Sequence, residues 1–111
     1  MRPTYVTLSN NVSGVPVYSN PVIVDPYARP GIALQVVVSG TATWTVQQTV
    51  NNVYDGTVTT TWFDHPDTNM VSQTVNRQGN YAYPPFAIRL ALATGSTGSA
   101  QLTIIQSGIG P

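Results

Sequence analysis

The chain has 111 residues, of which 41% are hydrophobic and only 7% are charged, and it contains neither Lys nor Glu nor Cys. This length predicts one domain over residues 1–111, and the lack of cysteine excludes disulfides and thiolate metal sites. Soluble domains usually carry about 25% charged residues, so Thr, Ser, Asn and Gln must hydrate this surface. Because a net charge of zero removes the repulsion that separates monomers, we expect self-association, with a dimer favoured and a trimer as the alternative.

The distribution of charge argues against two classes of partner. The four arginines, Arg2, Arg29, Arg77 and Arg89, are scattered along the chain, whereas nucleic-acid binding needs a clustered basic surface. No apolar run is long enough to span a bilayer, and residues 1–11 lack the apolar middle of a secretory signal. We therefore expect no nucleic-acid or membrane partner and synthesis in a cytoplasm.

The N-terminal residues 1–22 alternate short apolar pieces with Asn, Ser, Gly and Pro. This pattern predicts an extended N-terminal arm that becomes ordered on a partner surface. An ordinary edge strand with a fraying end explains it equally well. Both alternatives place the segment at the periphery of the protein.

The middle of the chain contains two stretches in which apolar residues recur at every second position. The alternation over residues 32–38 turns at Ser39-Gly40 and returns over residues 42–48, which predicts a hairpin. Turn residues at 51–56 precede a further alternation of Val58, Thr60 and Trp62. If that loop also closes a hairpin, Trp62 lies opposite Trp44, and both indoles belong to the core.

The C-terminal part has the clearest strand pattern of the chain. Apolar side chains alternate over residues 86–94, the glycine-rich segment 95–99 follows, and alternation resumes over residues 100–104, which predicts another hairpin. Val and Thr occur 15 times each and favour strands, while proline falls at the ends of the runs. The fold class is therefore all-β, a single-domain antiparallel β-sandwich of seven or eight strands, of which the jelly roll is one topology.

Ionisable side chains cluster at one place only, Asp64-His65-Pro66-Asp67. His65 and the two carboxylates are possible ligands of zinc or manganese, which leaves a metal-dependent enzyme as one alternative. A solvated turn explains the cluster better, because Pro66 holds His65 extended and no fourth ligand is evident. With no Cys, no Lys and no nucleophile elbow, we expect no catalytic residues, no metal and no cofactor.

The tyrosines are the best candidates for contacts with a partner. Tyr81 and Tyr83 lie in sequence typical of a loop, next to Pro84 and Pro85, where aromatic side chains favour an interface. The eight formal charges of the chain are too few to dominate any one interface. We predict attachment through apolar burial, hydrogen bonds and strand addition, and the predicted interface residues are Arg2, Tyr5, Tyr18, Tyr81 and Tyr83.

Five segments together resemble the small decoration proteins, also called cement or stapling proteins, of tailed-bacteriophage capsids. These segments are residues 33–40, 43–49, 86–90, 95–99 and 102–108. The resemblance implies a jelly-roll-like sandwich without catalytic activity, bound to the outer surface of an assembled capsid at junctions between its subunits. The partner would be the major capsid protein, and the location would be the virion.

One further alternative is a carbohydrate- or receptor-binding module of a phage tail fibre. Its signature would be aromatic rings exposed on one face, since such rings offer a flat apolar surface and a polar edge for sugar stacking. Trp44, Trp62 and the tyrosines could form such a platform if they are not core residues. Glycan binding by the isolated protein would favour this interpretation.

Overall fold

The computed structural model describes residues 3–24, 31–81 and 85–106, and the protein is all-β, as predicted. The described residues form nine strands: β1 Thr4–Asn11, β2 Val17–Tyr18, β3 Val22–Ile23, β4 Ile32–Ser39, β5 Trp44–Thr49, β6 Phe63–Asp64, β7 Arg77–Tyr81, β8 Ala87–Leu92 and β9 Ser96–Gln106. A single 3₁₀ turn, Thr68–Met70, is capped by the Asp67 carboxylate, which accepts the Asn69 N–H. Among the described residues, no helix is long and apolar enough to cross a membrane.

The strands form two antiparallel sheets. One sheet has four strands in the order β1-β9-β4-β7, and the other has the path β2-β8-β5-β6, with β3 as a fifth strand that also pairs with β8. The short β2 and β3 follow one another along the same edge of β8. Between them Ser19 donates its N–H to Leu90 O, and its hydroxyl oxygen accepts the Leu90 N–H, so the pairing with β8 continues across the interruption.

One apolar cluster joins the inward faces of both sheets. It contains Leu34 and Val36 of β4 together with Trp44 and Val46 of β5, and further members come from β8 and β9. These positions are the inward set that the alternation predicted, since every second residue of a strand points to the same face. Burial of each large side chain contributes about 1.5 to 3 kcal/mol, so this cluster is the main stabilising feature of the fold.

The strands of both predicted hairpins are confirmed, but the hairpins themselves are wrong. β4 and β5 lie in different sheets, and so do β8 and β9; each glycine-containing turn carries the chain across the core to the other sheet. The β4–β5 connection contacts β9, because Gly98 of β9 donates its N–H to Thr41 O at 2.7 Å. Gly40 has a φ of 78°, which suits a residue without Cβ at this turn.

The predicted N-terminal arm is replaced by paired strands. Residues 4–11 form the edge strand β1, which pairs with β9 from Thr4 opposite Ile104 to Asn11 opposite Ser96. Val6 and Leu8 pack against the core. The buried Asn11 side chain donates through Nδ2 to Leu92 O at 2.9 Å and thereby connects β1 to β8 of the other sheet. The edge-strand alternative is therefore the one observed for the described part of this segment.

The two tryptophans have different surroundings, contrary to the prediction that they pair in the core. Trp44 is 0% exposed, and its Nε1 donates to Val75 O at 3.1 Å. Residues 50–62 form turns and irregular backbone instead of a strand, so Trp62 has no position opposite Trp44. Trp62 is half-buried and contacts the guanidinium of Arg89.

Candidate binding surfaces on the two sheets

The outward-facing positions of the four-stranded sheet carry no charged side chain in the part of the chain that the structure describes. The outward set is Tyr5, Thr7 and Ser9 of β1, Ala33, Gln35, Val37 and Ser39 of β4, Gln78 and Asn80 of β7, and Thr97, Ser99, Gln101, Thr103 and Ile105 of β9. We call this set the neutral face. It crosses all four strands, and it offers amides and hydroxyls with a few apolar groups.

Cross-strand contacts and exposed apolar groups both occur on the neutral face. Tyr5 stands opposite Thr103, which is also opposite Gln35, and Gln78 donates through Nε2 to Gln35 Oε1 at 3.4 Å. Tyr5 is 60% exposed, and Val37 and Ile105 are each 41% exposed. Depletion of charge together with exposed aromatic and apolar groups is typical of the central part of a protein interface.

The outer face of the five-stranded sheet has a different character, with a cation at its centre. Arg89 of β8 places its guanidinium carbon 3.9 Å from the ring centre of Tyr18 and 4.3 Å from that of Trp62. Burial lowers the pKa of the Arg89 guanidinium from its usual value, and the nearby Tyr18 opposes this effect. Because arginine keeps its proton in proteins, these contacts hold a permanent cation against two aromatic rings.

A connected series of side chains extends from this cation across the sheet. Arg89 Nε donates to Gln47 Oε1 at 2.8 Å, and Gln47 Nε2 donates to Asp64 Oδ1 at 2.9 Å. Tyr18, Gln47 and Asp64 line a groove of about 200 Å³, together with Pro16, Thr45, Ser72, Ala91 and Ala93. We call it the Tyr18 groove; its lining combines one phenol ring, one carboxylate, one amide and two aliphatic hydroxyls.

The predicted interface residues do not form one surface. Tyr5 lies on the neutral face, whereas Tyr18, which is 48% exposed, lies on the outer face of the other sheet. Tyr81 is 2% exposed and belongs to the core rather than to a surface loop. Arg2 and Tyr83 lie outside the described residues.

Tyr81 is buried because its polar end has a partner inside the protein. Its hydroxyl donates to Gln48 Oε1 at 2.6 Å, and its ring centre lies 4.4 Å from that of His65. The strand that ends with Tyr81 pairs with β4 through the backbone. The sequence around Tyr81 suggested a loop because β7 is a polar edge strand without apolar alternation.

Replacement of Tyr81 by Phe is expected to lower the free energy of unfolding by about 1 to 3 kcal/mol, because it removes the donor to a buried amide oxygen and leaves that oxygen unpaired. Urea denaturation followed by fluorescence measures the loss. Tyr5→Phe is the matched control, since the Tyr5 side chain is 60% exposed and its hydroxyl can bond to water. Equal stability of the two variants would contradict the assignment of Tyr81 to a buried hydrogen-bonded pair.

The side chains of Asp64, His65 and Asp67 point to separate structural partners. His65 is 6% exposed; its Nε2 lies 2.8 Å from Asn80 O, and its Nδ1 accepts the Asp67 N–H at 2.9 Å. Asp64 accepts from Gln47, and Asp67 caps the 3₁₀ turn. No three metal-ligating side chains converge within the described ranges, and the solvated turn that was expected is instead anchored by a buried histidine.

Sequence reasoning missed the contacts of Arg89. The available signal was its place in the alternation of residues 86–94, where it is the one charged residue among apolar ones and falls on the outward face. Its aromatic and amide contacts come from β2, β5 and the segment before β6. No local pattern connects segments so far apart in the chain.

Comparison with protein-family models, with curated proteins and with solved structures finds no match to this chain.

Proposed function

We propose that this protein is a non-enzymatic structural component of a tailed-bacteriophage virion that binds the outside of the assembled capsid and stabilises junctions between its subunits. The neutral face is the observation that carries the proposal. The major capsid protein is the proposed partner, and copies of the chain are proposed to associate with one another on the shell. Synthesis in the host cytoplasm and location on the capsid surface are part of the same proposal.

The chemistry of the neutral face supports adhesion to a large protein surface. A partner can cover these positions without desolvating an ion, a step that costs several kcal/mol for each charge. The amides of Gln35, Gln78 and Gln101 can donate and accept and so can match varied polar groups. Tyr5 and Ile105 can supply apolar burial beside them, because both side chains stand exposed on this face.

Strand order supports a jelly roll as the topology of the proposed capsid-binding fold. If β2 and β3 are counted as one interrupted strand, eight strands alternate between the two sheets, with a sheet change at every connection except β5 to β6. The orders β1-β9-β4-β7 and β2/β3-β8-β5-β6 are those of two interleaved Greek keys. Viral capsid proteins commonly use this arrangement, in agreement with the resemblance noted from the sequence.

Retention on the capsid is expected to withstand a wash in 1 M salt, because screening at a Debye length of about 3 Å weakens ion pairs but leaves apolar burial and neutral hydrogen bonds. The measurement is the copy number of the protein in purified particles before and after the wash. Hundreds of copies before the wash would fit decoration, whereas a handful would indicate a tail component. Release by salt alone would contradict binding through the neutral face.

Gln35→Lys is expected to reduce capsid retention by about tenfold or more, because it places an unpaired charge at the centre of the neutral face. Thr59→Lys is the matched control, since Thr59 is exposed in the connection between β5 and β6 and lies outside that face. Thermal unfolding of both variants checks that the fold is intact. Equal retention of the two variants would overturn the assignment of the neutral face as the capsid contact.

A further inference from the structure

The Tyr18 groove is a recess on the outer face of the five-stranded sheet, whereas the neutral face belongs to the four-stranded sheet. Small side chains leave this recess open: Ala91 of β8 and Ala93, just after the end of β8, line the groove together with Tyr18 and Gln47. Alanine is depleted in strands, and here two alanines leave space beside a half-exposed tyrosine ring. A ligand that enters this space contacts an aromatic surface on one side and polar groups on the other.

Arg89 holds two of the lining side chains in place. Its guanidinium contacts the Tyr18 ring, and its Nε bonds to Gln47, which in turn bonds to Asp64. Arg89 does not itself line the groove, so it is a positioning residue. Groups that are fixed before binding lose less side-chain entropy when a ligand arrives, which raises affinity.

The polar groups of the groove suit hydroxyls. Asp64 provides carboxylate oxygens that accept, and Gln47 provides an amide. Thr45 Oγ1 accepts the Ser72 N–H at 3.0 Å, so its own hydroxyl proton is available to a ligand. The one formal charge in the lining is negative, which disfavours an anionic ligand by like-charge repulsion.

From this geometry we infer that the Tyr18 groove binds a neutral saccharide, with a pyranose ring stacked on Tyr18 and its hydroxyls bonded to Asp64 and Gln47. The C–H face of a pyranose matches the negative face of an aromatic ring. The acceptors of Asp64 and the donor and acceptor of the Gln47 amide match the hydroxyls of the sugar. The inference is independent of the proposed capsid attachment, because the neutral face and the Tyr18 groove lie on different sheets.

Titration of the isotope-labelled protein with maltotriose, cellotriose, chitotriose and mannotriose tests the inference by amide chemical shifts. We expect at least one of the four to shift resonances of β2, β5 and β8 with a dissociation constant of about 1 mM or lower. Tyr18→Ala and Asp64→Asn are each expected to weaken that binding by about tenfold or more. Asp64→Asn retains an oxygen that can accept from Gln47, so it preserves the fold if Tyr18→Ala does not.

Tyr54→Ala is the matched control, because Tyr54 is 76% exposed and does not line the groove; it is expected to bind the same trisaccharide normally. The inference is overturned if none of the four trisaccharides shifts the resonances at millimolar concentration, or if binding survives both groove substitutions. It is also overturned if glucuronic acid alone binds, since that would identify a site for anions. These results come from the isolated protein, so they are distinct from any failure of capsid retention.

Discussion

Trp44→Ala is expected to lower the free energy of unfolding by about 3 to 5 kcal/mol. Trp44 is fully buried between the sheets, and the neighbouring strands cannot close the cavity that the loss of an indole leaves. The substitution also removes the donor to Val75 O. Since small domains are stable by only about 5 to 15 kcal/mol, the variant should unfold at far lower urea concentration than the natural chain, as followed by circular dichroism.

Trp62→Ala provides the comparison for this prediction. Trp62 is half-buried on the outer sheet face, and its specific contact is the guanidinium of Arg89, an interaction of about 1 kcal/mol at an exposed site. The expected loss is therefore a fraction of that for Trp44. If the two variants lose similar amounts of the free energy of unfolding, the result would instead support a tryptophan pair in the core.

Gly98→Ala is expected to destabilise the fold by about 3 kcal/mol or more. A Cβ at this position would overlap Ser39 O, and it would lie 2.7 Å from Thr41 N and 2.9 Å from Gly40 C. All three are backbone atoms at the end of β4 and the start of its connection to β5, so no side chain can rotate to make room. The substitution should force β9 away from this connection and break the hydrogen bond from Gly98 to Thr41, which the shift in the urea midpoint would report.

Gly56→Ala is the matched control for Gly98→Ala. A Cβ at Gly56 has no neighbour within 4 Å, and Gly56 is exposed in the connection after β5. Gly56→Ala should therefore change the free energy of unfolding of the protein little. If Gly98→Ala proves as stable as Gly56→Ala, the close contact between β9 and the β4–β5 connection is contradicted.

The alternation of apolar residues predicted which side chains face the core, but it did not predict which strands pair. The positions of Leu34 and Trp44 in the two-residue alternation correctly predicted that both side chains lie in the core. The turn at Ser39-Gly40 is compatible both with a hairpin and with a change of sheet, because a glycine turn reverses the chain in either case. Pairing depends on the tertiary arrangement, which brings β9 between β1 and β4.

The polar strand β7 and the surroundings of His65 could not be predicted for a related reason. β7 is an edge strand whose residues Arg77, Gln78 and Asn80 are exposed, so it lacks the two-residue apolar period. It is held by backbone pairing with β4 and by the approach of Met70 to Gly79, where a Cβ would lie 2.7 Å from the methionine sulfur. The pairing of β7 with β4 and the contact of His65 Nε2 with Asn80 O each join separate elements of the fold, which no local sequence pattern specifies.

The inner position of β9 has a consequence for how the chain folds. β9 is the last described strand, yet it lies between β1 and β4, and Thr4 pairs with Ile104. Until β9 has left the ribosome, β1 has no neighbouring strand in its sheet and one edge of β4 stays unpaired. Folding must therefore wait for synthesis through β9 and then close very long loops, which places it among the slow β-proteins that fold in milliseconds to seconds. During that interval, chaperones and aggregation compete for the unpaired strands.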